Sequence, residues 1–284
     1  METLKEKSYA FQKLRDYKVD DNKYILVHID GRSFSKMVKN KFNKPFDKDF
    51  ITMMNETAKY LCSKVQGTHL AFVQSDEITL VIKKQTEKSD IFFSGRLCKM
   101  QSIIASLATS KFNQLMTLYD LKKNSYANLL EDTENTLYSI KDAISFIEDS
   151  PLYQFDCKVW DVDTSNDVMA WLLFRNIDCV KNSKQQAAQA WIPHKYLMNR
   201  NTDEQIAYLK EITSLDWHTH FTEGEKYGRY IYKDEYEKIV TIKRKDGSTE
   251  EETCMRTKWE ALDGMDLTDK DNREKLINIF PILK

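Results

Sequence analysis

Three carboxylates stand where chemistry is most legible in this 284-residue chain. Asp30 ends the apolar run of residues 24–29, and the adjacent Asp76 and Glu77 sit in the segment QSDE between two further apolar runs. Carboxylates brought close together repel unless something positive lies between them. A divalent cation removes that conflict. Magnesium favours hard oxygen donors, keeps several waters and is commonly held by one or two carboxylates plus substrate phosphates. Asp30, Asp76 and the Gly31 carbonyl suit it, and Gly31 lets the backbone approach closely. A pair of such ions can ionise an attacking hydroxyl and stabilise the leaving oxygen in phosphoryl transfer. Taken singly, Asp30-Gly31 reads as a turn and Ser75-Asp76-Glu77 as a solvated hairpin tip. The metal reading therefore depends on a fold that sets the two side by side.

The surrounding elements predict such a fold. Residues 24–29 read as a buried strand, bounded by DDNK and DGRS. Apolar positions at helical spacing predict a helix over residues 47–66, stopped by Gly67. Residues 69–73 and 78–83 read as a hairpin with the acids at its tip. Residues 97–115 trace a second long helix, residues 155–163 return to strand character, and residues 166–191 form a further helix with Asn166 or Asp167 as its N-cap. The order is βαββαβ, an α+β class with a ferredoxin-like antiparallel sheet and helices on one face. Its first and third strands are central antiparallel neighbours, so Asp30 and Asp76, 46 residues apart in sequence, meet at one sheet edge. Carboxylates roughly 4 to 5 Å apart there lie within one ion's reach.

The rest of the chain bounds the reading. Residues 1–192 are expected to form the catalytic domain, with an acidic, peripheral insertion near residues 119–151. Residues 193–284 form an extension with a helix over residues 203–212 and a hairpin turning near Asp246-Gly247. Lys plus Arg at 43 nearly cancel Asp plus Glu at 44, so no global field draws in a polyanion, and local patches must hold one. The five cysteines are scattered without metal or disulfide spacing, which fits a reducing cytoplasm. No apolar leader or run of about 18 apolar residues is present, so no membrane partner is expected.

As an ordered set, the segments HIDGRSFSKM, NKPFDKDF and QSDEITLVI resemble the signature segments of the tRNA-histidine guanylyltransferase family, the 3'-5' RNA polymerases. The segments GRLCKMQSIIASLATSKF, FDCKVW and FRNIDCVKNS resemble its later helix, strand and asparagine-bearing helix. The resemblance covers residues 24–189 and is faint beyond, at GEKYGRYIYK. It implies a polymerase-palm domain, tRNA and nucleoside triphosphates such as GTP and ATP as substrates, two Mg2+ ions and a homotetramer. By residue, it implies that Asp30, Gly31 and Asp76 hold the metals, supported by Glu77. The turn Asp30, Gly31, Arg32, Ser33, Phe34, Ser35 and the hairpin residue Ser75 would line the triphosphate. Lys44 would neutralise phosphate, Arg96 and Lys99 would serve 5'-end activation, and Asn182 would contact a second nucleotide or the incoming end. Cation–phosphate pairing of this kind gives strong charge-assisted hydrogen bonds.

Two departures qualify it. Where the family has DGRxFHxF and DCHINN, this chain has Ser35 and Met37, and Val180-Lys181-Asn182-Ser183. Both histidines are gone, which favours the guanylyltransferase-like branch that repairs truncated tRNA 5' ends over histidine-tRNA specificity. The rival readings are a non-catalytic RNA-binding palm module and a nucleotide cyclase. His218 and His220, two apart, lack a third metal ligand nearby. The lysines of residues 36–48, a second strip at Lys181, Lys184, Lys195 and Arg200, and the aromatic Trp191 and Tyr196 offer an RNA path, although such features more often form a solvated face or rim.

Overall fold

The computed structural model describes residues 3–13, 17–123, 144–244 and 249–284. The strands are β1 (Tyr24–Gly31), β2 (Thr68–Gln74), β3 (Glu77–Ile82), β4 (Phe155–Val162), β5 (Arg229–Lys243) and β6 (Thr249–Asp263). They form one sheet in the order β4-β1-β3-β2-β5-β6, antiparallel throughout. The longer helices are α1 (Leu4–Lys13), α2 (Phe34–Lys41), α3 (Lys48–Lys64), α4 (Leu97–Lys123), α5 (Ser165–Trp191), α6 (Thr202–Thr213) and α7 (Lys270–Ile279). The βαββαβ order expected of the N-terminal part is present, and β1 and β3 pair at its centre.

Local chemistry sets the helix starts. The Asp47 carboxylate accepts from the N–H groups of Asp49 and Phe50, satisfying donors that α3 leaves open. Neither Asn166 nor Asp167 is the N-cap of α5. Thr164 takes that place, because its hydroxyl accepts from the Asp167 N–H while the Asp167 carboxylate answers the Thr164 N–H, and the reciprocal pair satisfies two donors at once.

Alternation along β1 sends Ile25, Val27 and Ile29 to a core that includes Met54, Ala58 and Leu61 of α3 and Met100, Ile104 and Phe112 of α4. These two helices share a face as expected. The expectation that helices occupy one face only is corrected, because Tyr24, Leu26, Leu70, Phe72 and Val81 make the opposite face apolar too. Val168 and Leu172 of α5 and Leu276 of α7 bury it. A sheet apolar on both faces needs cover on both.

The C-terminal hairpin is not peripheral. Its strands begin at Arg229, earlier than the sequence pattern suggests, and Arg229, Tyr230 and Ile231 pair with Val73, Phe72 and Ala71 of β2. The segment beyond residue 192 is thus knit into the same sheet, and Phe280 and Leu283 enter the α5-side core. The expected turn at Asp246-Gly247 and most of the expected acidic insertion, residues 124–143, lie outside the described residues. Among the described residues, no helix is long and apolar enough to cross a membrane.

Candidate active site at one end of the sheet

The register brings the predicted acids to one end of the sheet. Asp30 stands directly opposite Glu77 on β3 and Asp156 on β4. The Gly31 N–H donates to the Asp76 carbonyl at 3.1 Å, which ties the end of β1 to the β2–β3 turn. Ser75 makes that turn with a φ of 44°. Gly31 has no room for a side chain, since a Cβ there would lie 2.6 Å from the Phe34 ring. Directly opposed residues share a sheet face, so Asp156, Asp30, Glu77 and Gln74 form one polar row on the α5 side.

The two carboxylates among the predicted metal ligands are strained electrostatically. Burial pushes the Asp76 carboxyl up to about 6, against the Ser75 hydrogen bond, and the charges of Asp30 and Glu77 add to the rise. Asp30 is raised as well, by burial and then by Glu77 and Asp156. Among the described residues, neither joins an ion pair. Two hard oxygen donors, part-buried and without a counter-ion, fit Mg2+, which needs only one or two carboxylates when phosphates complete its shell. A closed all-protein cage is a different matter: the described residues contain no cluster of three or more His, Cys, Asp or Glu placed for a metal.

Two adjoining cavities open at Asp76. One, of about 230 Å³, is lined by Ser35, Lys39, Lys44, Ser75, Asp76 and Gln186. The other, of about 110 Å³, brings Asp76 and Glu77 together with Asn182, Gln186, Phe46 and Arg229. Ser35, Lys44, Ser75, Asp76 and Asn182 are therefore gathered in one place. Arg32 is drawn to the chain before β4, where its N–H and guanidinium bond the Gln154 carbonyl at 2.9 Å and side-chain oxygen at 3.1 Å. Ser33 begins α2 with a φ of 60° and an exposed side chain.

Several expectations meet a different arrangement. The Phe34 side chain does not line a site; it is buried against Phe112, Tyr153 and Phe155 and anchors the turn from below. Glu77 is engaged by Arg175 of α5 and by Gln74 at 2.8 Å, so its charge is already answered. Arg96 and Lys99 lie at the other end of the sheet. Leu97 and Arg96 bond and bridge to Tyr17 and Lys18, just before β1 begins. The level of Gly31 on α4 is that of Thr109, whose hydroxyl accepts from the N–H of its β4 partner Phe155 at 3.1 Å. Thirteen residues of helix separate Arg96 from that level, about 20 Å at 1.5 Å per residue. His218 and His220 fall on a short helical turn and are exposed.

The residues not anticipated are Arg175, Asp156 and His28. Asp156 was within reach of pattern reasoning, since pairing FDCKVW against HID places it beside Asp30. His28 sits in the next row on the same face, its Nδ1 buried without a hydrogen-bond partner among the described residues, and burial followed by the Arg175 charge brings it down to about 4. Nothing in the linear sequence singles out Arg175.

Comparison with known proteins shows the family and the fold. The sequence profile of the Thg1 family, tRNAHis guanylyltransferase, matches residues 5–162. Uncharacterized protein R259 of Acanthamoeba polyphaga mimivirus is 27% identical over 242 residues, 82% of this chain and 77% of that protein. The tRNA(His) guanylyltransferase of Schizosaccharomyces pombe is 37% identical over 90 residues, 31% of this chain and 33% of the relative, so the match spans about a third of its length. Among solved structures, a bacterial Thg1-like protein in complex with ATP superposes with a TM-score of 0.75 at 24% identity, covering 98% of this chain and 99% of the other. That likeness carries the fold.

Proposed function

The chain belongs to the tRNAHis guanylyltransferase family, and on that premise we propose that it is a metal-dependent nucleotidyltransferase adding nucleotides 3'-5' to tRNA 5' ends. The observation that carries this reading is the shared cavity of Asp76 and Lys44, a carboxylate and an ammonium, at the edge where Gly31 is tied to the Asp76 backbone. Asp30, the Gly31 carbonyl and Asp76 are the proposed ligands of two Mg2+ ions. When bound, Mg2+ supplies Lewis-acid stabilisation of phosphoryl charge. Lys44 neutralises a triphosphate oxygen, and Ser35 and Ser75 offer hydroxyl donors around it. Asn182 and Gln186 present amides from α5 to a nucleotide or RNA end. The proposed nucleotides are GTP and ATP, which bacterial Thg1-like proteins carry in two solved complexes.

Loss of both family histidines supports templated repair of truncated 5' ends rather than histidine-tRNA addition. Arg96 and Lys99 are remote from this centre within one copy; in the proposed homotetramer they would serve activation at the centre of another. The proposed compartment is the cytoplasm, in keeping with five free cysteines.

The test is to incubate the purified chain with Mg2+, labelled nucleoside triphosphates and full-length or 5'-truncated tRNAs bearing monophosphate or triphosphate ends. Incorporation that follows the opposing base and stops on chelation is expected. Absence of incorporation with every end and nucleotide would refute the reading.

A further inference from the structure

Glu77 and Asp76 are chain neighbours with opposite surroundings. Among the described residues Asp76 has no counter-ion, whereas Glu77 is held by the guanidinium of Arg175, a side chain only 10% exposed. Arg175 reaches down from α5 onto the polar row, where Glu77 and Asp30 stand directly opposite each other on paired strands. Like charges so placed are destabilising, and Arg175 supplies the compensating cation. Its own position is fixed by Asp178, 3.1 Å away, and by the Trp171 and Phe174 rings at 6.0 and 5.5 Å.

The contacts continue along the helix. Asp178 also accepts from the Asn182 amide at 3.1 Å, and Arg175, Asp178 and Asn182 lie on one face of α5 by their spacing of three and four. Gln74, Glu77, Arg175, Asp178 and Asn182 thus form one hydrogen-bonded chain from the turn that carries Asp76 to the wall of its cavity.

We propose that Arg175 is a positioning residue that keeps Glu77 out of the metal centre, leaving Asp30 and Asp76 as its carboxylate ligands and holding Asn182 towards the cavity. The proposal rests on the metal-dependent reading above. Its physical basis is charge count: cation affinity in an oxygen site rises with the number of carboxylates available, and rigidity decides which are available. A guanidinium whose Nη2 bonds Glu77 and Asp178 together removes one carboxylate and rigidifies the turn. Release of Glu77 gives a more negative, more fully ligated centre, which grips its ions harder and leaves fewer positions for substrate phosphate.

The test measures Mn2+ alone, without nucleotide, by the loss of the free-ion paramagnetic resonance signal on titration of the full chain, with turnover measured alongside. Arg175→Met is expected to bind Mn2+ about tenfold more tightly, the gain of one acidic ligand, while turnover falls about a hundredfold, the scale of lost positioning. The double variant Glu77→Gln with Arg175→Met is expected to return Mn2+ affinity to within about threefold of wild type, because the released ligand is gone. A merely structural role predicts weaker Mn2+ binding and no recovery. If Arg175→Met does not fold, Arg175→Lys decides: it keeps the charge, but its shorter, flexible stem and unfixed ammonium hold Glu77 less rigidly, so binding tightens, by a smaller factor. Unchanged or weaker Mn2+ binding in the folded variants overturns the proposal while wild-type binding stands. A wild type that binds no Mn2+ overturns the metal reading, and this inference with it.

Discussion

The two ends of the central strands carry similar numbers of acids and treat them in opposite ways. At the end where β1 begins, Lys23 lies 2.7 Å from Asp163 and Lys84 lies 2.7 Å from Asp21. At the end where β1 finishes, Asp30 and Asp76 have no such partner among the described residues, and Lys44 faces a cavity instead of a carboxylate. The first end has settled its charges internally at little cost, as exposed ion pairs do. The second answers Glu77 through Arg175 but leaves Asp30 and Asp76 open, and an unsettled charge persists only where something outside the chain completes it. The contrast marks the functional end.

The largest effect should separate the two ends by activity. Asp30→Ala or Asp76→Ala is expected to reduce nucleotide addition by about 10³-fold, the scale of losing preorganised stabilisation of developing charge. Asp163→Asn at the other end is expected to leave it within about twofold. Equal losses at both ends would break the comparison, because activity would then follow general electrostatic integrity.

A smaller effect concerns stability, with its sign set by Asp76. Its carboxyl is ordinary, near 3.8, in the unfolded chain and is pushed up to about 6 by burial in the folded one. A group raised on folding contributes stability that is fully present below its unfolded value and is lost as pH rises through the folded value. The metal-free protein therefore bears a penalty at pH 8 that is mostly absent at pH 4. Asp76→Asn removes it. The full shift corresponds to about 3 kcal/mol at 1.36 kcal/mol per unit, and partial solvation reduces that to about 1–2 kcal/mol. Melting of the metal-free variant should occur above wild type at pH 8 and level with it at pH 4, while activity is lost. A variant that melts lower at both values would show that the carboxylate is structurally satisfied after all.

How much of this was legible follows from what each signal can encode. The run Tyr24–Ile29 ending in Asp30-Gly31, and the acids between two apolar runs, specify strands and a turn. The βαββαβ order then forces both to one edge. Asp76, Lys44 and Ser35 converge for that reason. Periodicity says less about faces. His28 and Asp30 make the even positions of β1 look solvated, yet Tyr24 and Leu26 at the other end of that face are buried, so α5 and α7 cover it. Arg175 was illegible because an arginine in an amphipathic helix reads as surface, and only the docking of α5 over the polar row turns it inward. The pair Arg96 and Lys99 has a spacing that fixes a helix face but not which end of a 27-residue helix meets the site. The Thr164 cap was readable, since Thr-x-x-Asp is the reciprocal pattern that starts a helix.

The smallest effect tests the settled end. Lys84 and Asp21 form an ion pair whose side chains are 19% and 33% exposed. Such a pair contributes about 0–1 kcal/mol, since its attraction is spent against desolvation and the entropy of two long side chains. Lys84→Ala is expected to lower the melting temperature by about 2 °C or less and to leave nucleotide addition unchanged. In 1 M salt, where the screening length falls to about 3 Å, the difference should vanish. The sign matters more than the size: removing a charge at this end destabilises, whereas removing the Asp76 charge at pH 8 stabilises. Only an end whose charges await an external partner gains from losing one. A stabilising Lys84→Ala would mean that this end, too, holds its charges for something outside the chain.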